Sequence, residues 1–258
     1  MGDWSCAGDG RVTDKPAYYA RRGGWLADCW TLLHPPYTLW HLSYAVLGAS
    51  LAPHLGWTPL LLTVLAFFLA VGIAAHALDE RAGHPLETAL GDRALAVAAT
   101  VALLGAVALG LYGAFWWNGP NWPLVVAVPT GVALVVGYNL ELAGGRLHND
   151  LTFGLAWGGF PVVVGYLAQT PGLHSSRGPA AAAAAGAAVA LTYAQRRLST
   201  PARGLRRRTA EVTGTVHRVD GTVLPLDVST LLAPLERALR AMAWGVPLVA
   251  LAALLSHT

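Results

Sequence analysis

The chain of 258 residues is 55% hydrophobic and only 12% charged, and its mean hydropathy is +0.48. This composition excludes an ordinary soluble enzyme and predicts an integral membrane protein. The net charge of +3 does not indicate nucleic-acid binding, because a basic inner face is what membrane topology and anionic lipids already require.

Apolar runs long enough to cross a hydrocarbon core of about 30 Å as a helix recur along the chain. They predict an all-α integral membrane helical bundle with about seven transmembrane helices, near residues 37–55, 58–79, 94–116, 122–140, 151–169, 179–195 and 239–256. His41 and Ser43 interrupt the first run and Pro247 the last. We therefore expect a six-helix membrane core over residues 37–195 and a C-terminal transmembrane helix within 237–258.

The placement of basic residues orients these spans, because Lys and Arg accumulate in short loops on the cytoplasmic side. With seven spans, every one of the 17 basic residues except Arg177 falls on the side of the amino terminus. The pattern predicts a multi-pass protein of the cell membrane with its amino terminus in the cytoplasm and its carboxyl terminus outside.

Two segments outside the apolar runs have recognisable patterns. "WLADCWTLLHPP" predicts a short interfacial helix at the end of a cytoplasmic segment 1–36, with Trp25 and Trp30 at headgroup level. From 196 to 236 the chain is basic, and apolar and polar residues alternate around Asp220-Gly221. That alternation predicts a small cytoplasmic β-hairpin, which serves either as a lid or as a simple connector.

The stretch "AHALDERAGHPLETAL", residues 75–90, places ionisable side chains at the inner end of the second span. His76, Asp79 and Glu80 stand at positions i, i+3 and i+4 and so share one helix face, and the turn at Gly83 lets His84 fold back toward them. Each residue alone is explained by snorkelling to water. Together they indicate a site, because ionisable groups within a span usually face a cavity or a partner.

Other spans bring polar residues to the same predicted face. The fourth span ends with Tyr138, Asn139, Glu141, Arg146, His148 and Asp150, and the sixth ends with Gln195, Arg196, Arg197, Arg203, Arg206, Arg207 and Arg208. The first span begins near His34, and His41 lies deeper. We expect these residues to line a cytoplasm-facing cavity within the membrane.

The residue types of this expected cavity suit a divalent metal and an anion. The candidate metal ligands are His76, Asp79, Glu80, His84, Glu141, His148 and Asp150. Oxygen ligands favour Mg²⁺, whereas mixed sets of His and carboxylate favour Zn, Mn or Fe. Because arginine binds phosphate through bidentate contacts, the expected substrate is an amphiphile with an anionic head.

Three segments resemble a known family. "LLHPPYTLWHLSYAVLGASLAP" resembles the opening helix of the UbiA superfamily of intramembrane prenyltransferases. "AHALDERAGHPLETALGDRALAVAATVALLGAVALGLY" resembles their second helix, acidic metal motif and third helix, and "GYNLELAGGRLHNDLTFGLAWGGFPVVVGYLAQ" is similar to their fourth and fifth helices. The similarity covers roughly residues 30–170 and is architectural more than motif-exact.

The resemblance implies a prenyltransferase or a terpene cyclase that binds an isoprenoid diphosphate with Mg²⁺. Where the family has the pattern N-D-x-x-D-x-x-x-D, this chain has His76, Glu80 and His84 at i, i+4 and i+8, with Asp79 beside them. Gln195-Arg196-Arg197 stands in place of the second acidic motif. The implied catalytic residues are His76, Asp79, Glu80, Tyr138 and Asn139, and the implied substrate-binding residues are His34, Trp40, His41, Arg146, Phe153, Trp157, Gln195, Arg196 and Arg197.

Two alternatives stay open at this stage. The histidines favour a transition-metal enzyme that acts on a lipid or another hydrophobic substrate on a repurposed UbiA-like scaffold. Alternatively, the protein binds a lipid or an isoprenoid without catalysis, and the polar residues complete a buried network.

Overall fold

A computed structural model describes residues 16–115, 120–170 and 176–257. Within these ranges the chain is mostly helical, with one small two-stranded sheet. The helices are α1 (Trp25–Leu32), α2 (Pro35–Ser50), α3 (Trp57–Arg81), α4 (Asp92–Phe115), α5 (Trp122–Asn139), α6 (Asp150–Gln169), α7 (Gly178–Arg207) and α8 (Val228–Leu255). The strands are β1 (Thr215–His217) and β2 (Val223–Pro225).

Five of these helices, α3, α4, α5, α6 and α8, are long and apolar enough to cross a membrane. They coincide with five of the predicted spans, which supports a multi-pass membrane protein. The other two predicted spans are also helical, but α2 has only 16 residues and α7 has 30. At 1.5 Å per residue α7 is about 45 Å long, which exceeds the thickness of a hydrocarbon core.

The centre of the bundle is α2, which packs against α6 and α8. Two glycines set the distance between α2 and α6, since a Cβ at Gly48 would overlap the carbonyl oxygen of Val162, and one at Gly165 would overlap that of Ala45. Small residues that let backbones approach are typical of helix packing in membranes. Trp40 and Tyr44 of α2 are fully buried there, and Trp40 Nε1 donates a hydrogen bond to Tyr44 Oη at 2.6 Å.

Two predicted boundaries differ from the structure. The predicted loop 196–236 is shorter, because α7 continues to Arg207 and α8 already begins at Val228. Arginine is a good helix former, so the basic run after residue 195 continues the helix. At the start of α8, the Asp227 carboxylate accepts hydrogen bonds from the backbone and the hydroxyl of Thr230 and thus caps the helix.

The predicted hairpin is present. Strands β1 and β2 pair antiparallel, with Val216 opposite Leu224, and Gly221 takes a positive φ in the turn. The predicted interfacial helix is also helical, and Trp25 of α1 is 68% exposed. Residues 1–15 of the predicted N-terminal segment lie outside the described residues.

Both α3 and α6 contain a π-helical stretch, over Phe68–Ala75 and Leu155–Gly159 respectively. Such wider turns inside α-helices occur frequently at functional sites. Here each stretch provides a backbone carbonyl for a histidine, Gly72 for His76 and Trp157 for His41. The two irregular stretches therefore lead directly to the candidate site.

Candidate functional site: a polar cavity at one end of the bundle

A cavity of about 540 Å³ opens at the end of the bundle where α2, α6 and α8 begin and α3, α5 and α7 end. We call it the polar cavity. These are the helix ends that the pattern of basic residues assigned to the cytoplasm. The lining includes many of the residues singled out in the sequence, namely His34, His41, His76, Asp79, Tyr138, Asn139, Glu141, His148, Phe153, Trp157, Gln195 and Arg196.

Glu80 does not line the polar cavity. Its side chain is fully buried, and its two carboxylate oxygens accept hydrogen bonds from the backbone N–H of Leu86 and from the backbone N–H and hydroxyl of Thr88. His84 also lies outside the cavity, with its Nε2 3.0 Å from a carboxylate oxygen of Asp92. These expected metal ligands instead organise the loop between α3 and α4.

Four other predicted site residues lie outside the cavity lining as well. Asp150 pairs with Arg196 at 3.2 Å and with Arg197 at 3.5 Å, so Arg197 is held on the outer side of α7. Arg146 is exposed in the turn before α6, and Trp40 belongs to the packed core of α2. Only Arg196 of this ion-paired group reaches the cavity.

Four histidines of the cavity share one hydrogen-bonding pattern. The Nδ1 atoms of His34, His41, His76 and His148 lie 2.8, 2.8, 3.1 and 3.3 Å from the backbone carbonyls of Leu32, Trp157, Gly72 and Tyr138. A carbonyl oxygen only accepts hydrogen bonds, so each Nδ1 carries the proton. In the neutral ring Nε2 is then an acceptor, which fixes the tautomer of all four imidazoles.

His34 and His76 form a stacked pair, with ring centroids 4.2 Å apart. His34 precedes Pro35 and adopts a left-handed backbone conformation with φ 45°, which is uncommon for a residue other than glycine and clusters at functional sites. Burial lowers the pKa of His34, and the neighbouring His76 lowers it further. Both effects keep the His34 ring neutral at physiological pH.

The arginines at the mouth of the cavity include two without a carboxylate partner. Arg206 is bound to Glu236 of α8, with Nε 2.7 Å from Oε1. In the part of the chain that the structure describes, no carboxylate lies within 4 Å of Arg203 or Arg207, and Arg207 donates to the backbone carbonyl of Pro16 at 2.9 Å. Arg203 and Arg207 thus leave positive charge available to a ligand.

The N-terminal wall of the cavity was not predicted, because its residues form no recognisable local pattern. Tyr18 and Tyr19 pack edge-on against Tyr37 of α2, and Tyr19 also contacts the ring of His34. Burial raises the pKa of Tyr19 well above its ordinary value. A tyrosine pair in a segment before the first helix reads as ordinary loop sequence, and only its long-range contacts place it here.

The inner end of the cavity is aromatic. The rings of Phe153 and Trp157 are stacked with centroids 5.4 Å apart, Tyr138 lies 4.8 Å from Trp157, and the guanidinium of Arg196 lies 5.0 Å from the Phe153 ring. We call Tyr138, Phe153 and Trp157 the aromatic floor. Tyr138 Oη and Gln195 Oε1 are both buried and have no hydrogen-bond partner among the described residues. Buried polar atoms rarely stay unpaired, so we expect a ligand or an ordered water to bind to these two.

Comparison with known proteins gives no relative. No protein-family model, no curated protein and no solved structure matches this chain.

The side chains of the described segments do not supply the metal site that the sequence predicted. Within residues 16–115, 120–170 and 176–257 there is no group of three or more His, Cys, Asp or Glu side chains arranged to hold a metal ion. Asp79 lines the cavity from α3 and Glu141 from the turn after α5, whereas Glu80, His84 and Asp150 are directed into other interactions.

A second, smaller cavity of about 100 Å³ lies between α3, α4, α5 and α6. We call it the apolar cleft. Its lining is almost wholly hydrocarbon, with Thr63 as the single exception among the described lining residues. Phe67 and Phe160, which meet edge-on at 6.0 Å, line the cleft and belong to the same hydrophobic cluster as the aromatic floor.

Proposed function

We propose that this protein is a membrane enzyme of UbiA-like type that acts on an isoprenoid diphosphate in the polar cavity, by prenyl transfer or terpene cyclisation. The observation that carries the proposal is that one cavity combines, among the described residues, arginines without a carboxylate partner, an aromatic floor, and two buried polar atoms without a hydrogen-bond partner, Tyr138 Oη and Gln195 Oε1. A diphosphate and a hydrocarbon chain are the two halves of such a substrate.

The proposal includes the topology read from the sequence. In it α2 and the apolar first part of α7 cross the membrane together with the five long apolar helices, giving seven spans. The amino terminus and the mouth of the polar cavity then face the cytoplasm, the carboxyl terminus lies outside, and α1 rests at the lipid headgroups with Trp25. The arginine-rich end of α7 fits this orientation, since it is the most basic part of the chain.

In the proposed complex the diphosphate lies between Arg203 and Arg207. Guanidinium groups form paired hydrogen bonds with phosphate oxygens and neutralise their charge. Arg196 is nearer the aromatic floor, where it contacts Phe153 and donates to His148 Nε2 at 3.3 Å. Stabilising the charge that develops on the leaving oxygens lowers the barrier to ionisation.

The aromatic floor would hold the reacting end of the isoprenoid chain. Ionisation breaks the allylic C–O bond, and the electron pair leaves with the diphosphate oxygen. The remaining carbocation then lies against the rings of Tyr138, Phe153 and Trp157, whose π faces attract positive charge. The cation is captured by a double bond of its own chain or by the electron pair of an acceptor.

A divalent metal, Mg²⁺ first of all, was expected from the resemblance, but the donor set of the described residues does not fit it. Among the described residues no three His, Cys, Asp or Glu side chains are grouped to hold a metal ion, and the position of the second acidic motif holds Gln195 and Arg196. In this proposal the arginines of α7 provide the positive charge, and no step is assigned to a metal.

The transition-metal alternative is less well supported, because the four imidazoles that line the cavity are not grouped into a metal site among the described residues. Non-catalytic binding of an isoprenoid shares the substrate site and differs only in turnover. The experiment below separates it from the proposed enzyme.

The direct test is incubation of the purified protein in lipid nanodiscs with radiolabelled farnesyl or geranylgeranyl diphosphate, followed by assay of released diphosphate and of extracted lipid products. The proposal predicts release of diphosphate together with a new hydrocarbon or prenylated product. Saturable binding of both compounds without any release would favour the non-catalytic alternative, and absence of both binding and release would overturn the proposal.

A further inference from the structure

His41 is a buried imidazole of the polar cavity that the reaction described so far does not use. It lies on α2, is only 4% exposed, and lines the cavity beside the aromatic floor, with its ring centroid 6.0 Å from that of Phe153. A histidine in the middle of an apolar helix is costly within a membrane and usually has a function.

The hydrogen bonding of His41 leaves one nitrogen free. Its Nδ1 lies 2.8 Å from the backbone carbonyl of Trp157, within the π-helical stretch of α6, and must be the protonated nitrogen. No described residue donates a hydrogen bond to its Nε2. The backbone of α6 thus fixes the ring in the tautomer in which Nε2 has a lone pair available.

The other three histidines of the cavity differ from His41. His148 Nε2 already accepts a hydrogen bond from Arg196. His34 and His76 are stacked on each other, and His34 also contacts Tyr19 of the N-terminal wall. His41 therefore combines a free Nε2 with a contact to the aromatic floor.

We propose that His41 Nε2 is the base that ends the reaction by removing a proton from the carbocation. This inference rests on the proposed function. A C–H bond next to the cationic carbon breaks, its electron pair forms the new C=C bond, and the proton goes to Nε2. The positive charge passes from the hydrocarbon to the imidazolium, so atoms and charge balance without a further reactant.

The substitution His41→Asn tests the base without removing the contact to α6. The asparagine amide places an N–H near the position of Nδ1–H, so it retains a donor for the Trp157 carbonyl but has no basic nitrogen. His54→Asn is the matched control, because His54 is exposed at the opposite end of α2. Diphosphate release and the ratio of hydrocarbon to alcohol products are measured with farnesyl and geranylgeranyl diphosphate.

We expect His41→Asn to form at least roughly 100-fold less hydrocarbon per diphosphate released than the wild type, since a positioned base contributes about 10²–10⁴-fold. Alcohol, formed when water captures the cation, should take the place of hydrocarbon. His54→Asn should behave as the wild type does.

Two outcomes would overturn the inference and leave the proposed function standing. One is unchanged hydrocarbon formation in His41→Asn, and the other is an equal loss of diphosphate release and of hydrocarbon formation. Failure of the wild type to release diphosphate would overturn both. If His41→Asn does not fold, His41→Ala assayed with and without added imidazole decides the question. Rescue of hydrocarbon formation by imidazole supports the base, and absence of rescue contradicts it.

Discussion

The polar cavity and the apolar cleft border the same hydrophobic cluster. They differ in how many charged and polar groups of their linings have no partner. The cavity contains Arg203, Arg207, Tyr138 Oη and Gln195 Oε1 without full partners among the described residues. The lining of the cleft is hydrocarbon with one hydroxyl. In a membrane protein an apolar gap is satisfied by lipid, whereas unpaired charge and polar atoms need a ligand of their own. The difference favours the polar cavity as the site of the proposed reaction.

The largest expected effect comes from removing the charge of the cavity. The double substitution Arg203→Gln/Arg207→Gln should lower diphosphate release by roughly 10²–10⁴-fold, because each hydrogen bond to a charged group contributes about 1.5–3 kcal/mol. Val107→Ala, in the lining of the cleft, should leave release unchanged. Equal losses in the two variants would remove the distinction between cavity and cleft.

The packing of α2 against α6 supports the walls of the polar cavity, and two glycines maintain it. Gly48→Ala and Gly165→Ala should each lower the free energy of unfolding by about 1–3 kcal/mol, because each new methyl group meets a backbone carbonyl that cannot move alone. Gly186→Ala in α7, where a Cβ meets nothing within 4 Å, is the matched control and should be neutral or slightly stabilising. Thermal unfolding in detergent measures all three.

Two neighbouring carboxylates mark the edge of the cavity. Glu80→Gln should lower the free energy of unfolding by about 1–3 kcal/mol, since the amide cannot accept all the hydrogen bonds that the loop from Leu86 to Thr88 donates. Asp79→Asn, the same change on the cavity side, should alter stability by less than about 0.5 kcal/mol. The reverse order of stabilities would show that Glu80, and not Asp79, faces the cavity.

The smallest effect is expected outside both cavities, at the N-terminus of α8. Hydrogen bonds from Thr230 and Ser229 lower the pKa of Asp227 to about 2. The capping contribution is therefore present above the ordinary pKa of 3.8 and is lost as the pH falls toward 2. Asp227→Asn, which keeps a capping oxygen but no charge, should unfold at a lower temperature than the wild type at pH 6. This difference in unfolding temperature should shrink as the pH falls from 3.8 toward 2. A difference that persists at pH 2 would contradict the role of the charged Asp227 carboxylate as the cap of α8.

The sequence was a reliable guide to the helices and a partial one to the site. Hydropathy located five of the apolar helices, and the Asp220-Gly221 turn located the hairpin, because both signals are local. Hydropathy placed the end of α7 at residue 195, which is too early, because the helix continues through an arginine-rich part to Arg207. Helical periodicity put Glu80 on the face of His76, but the loop after α3 binds the Glu80 carboxylate, and no local pattern shows that loop geometry.

Tyr18 and Tyr19 complete the cavity and were missed for a related reason, whereas Arg207 was expected there but its partner was not. Tyr19 is brought to His34 by the fold of the N-terminal segment, and Arg207 is held by the carbonyl of Pro16 at a separation of 191 residues. Such contacts join parts of the chain that are distant in sequence. A basic run predicts positive charge at a surface, but which arginines remain unpaired depends on the carboxylates of other helices, such as Glu236 for Arg206.

The central claim is that the polar cavity binds a diphosphate through its unpaired arginines, and isothermal titration with inorganic pyrophosphate tests it most directly. The protein would be titrated in lipid nanodiscs as the wild type, as Arg203→Gln/Arg207→Gln, and as Arg237→Gln, whose arginine is exposed on α8 away from the cavity. The account predicts saturable binding by the wild type and by Arg237→Gln, and binding at least roughly 100-fold weaker by the double variant. Equal affinity in the wild type and the double variant would contradict it.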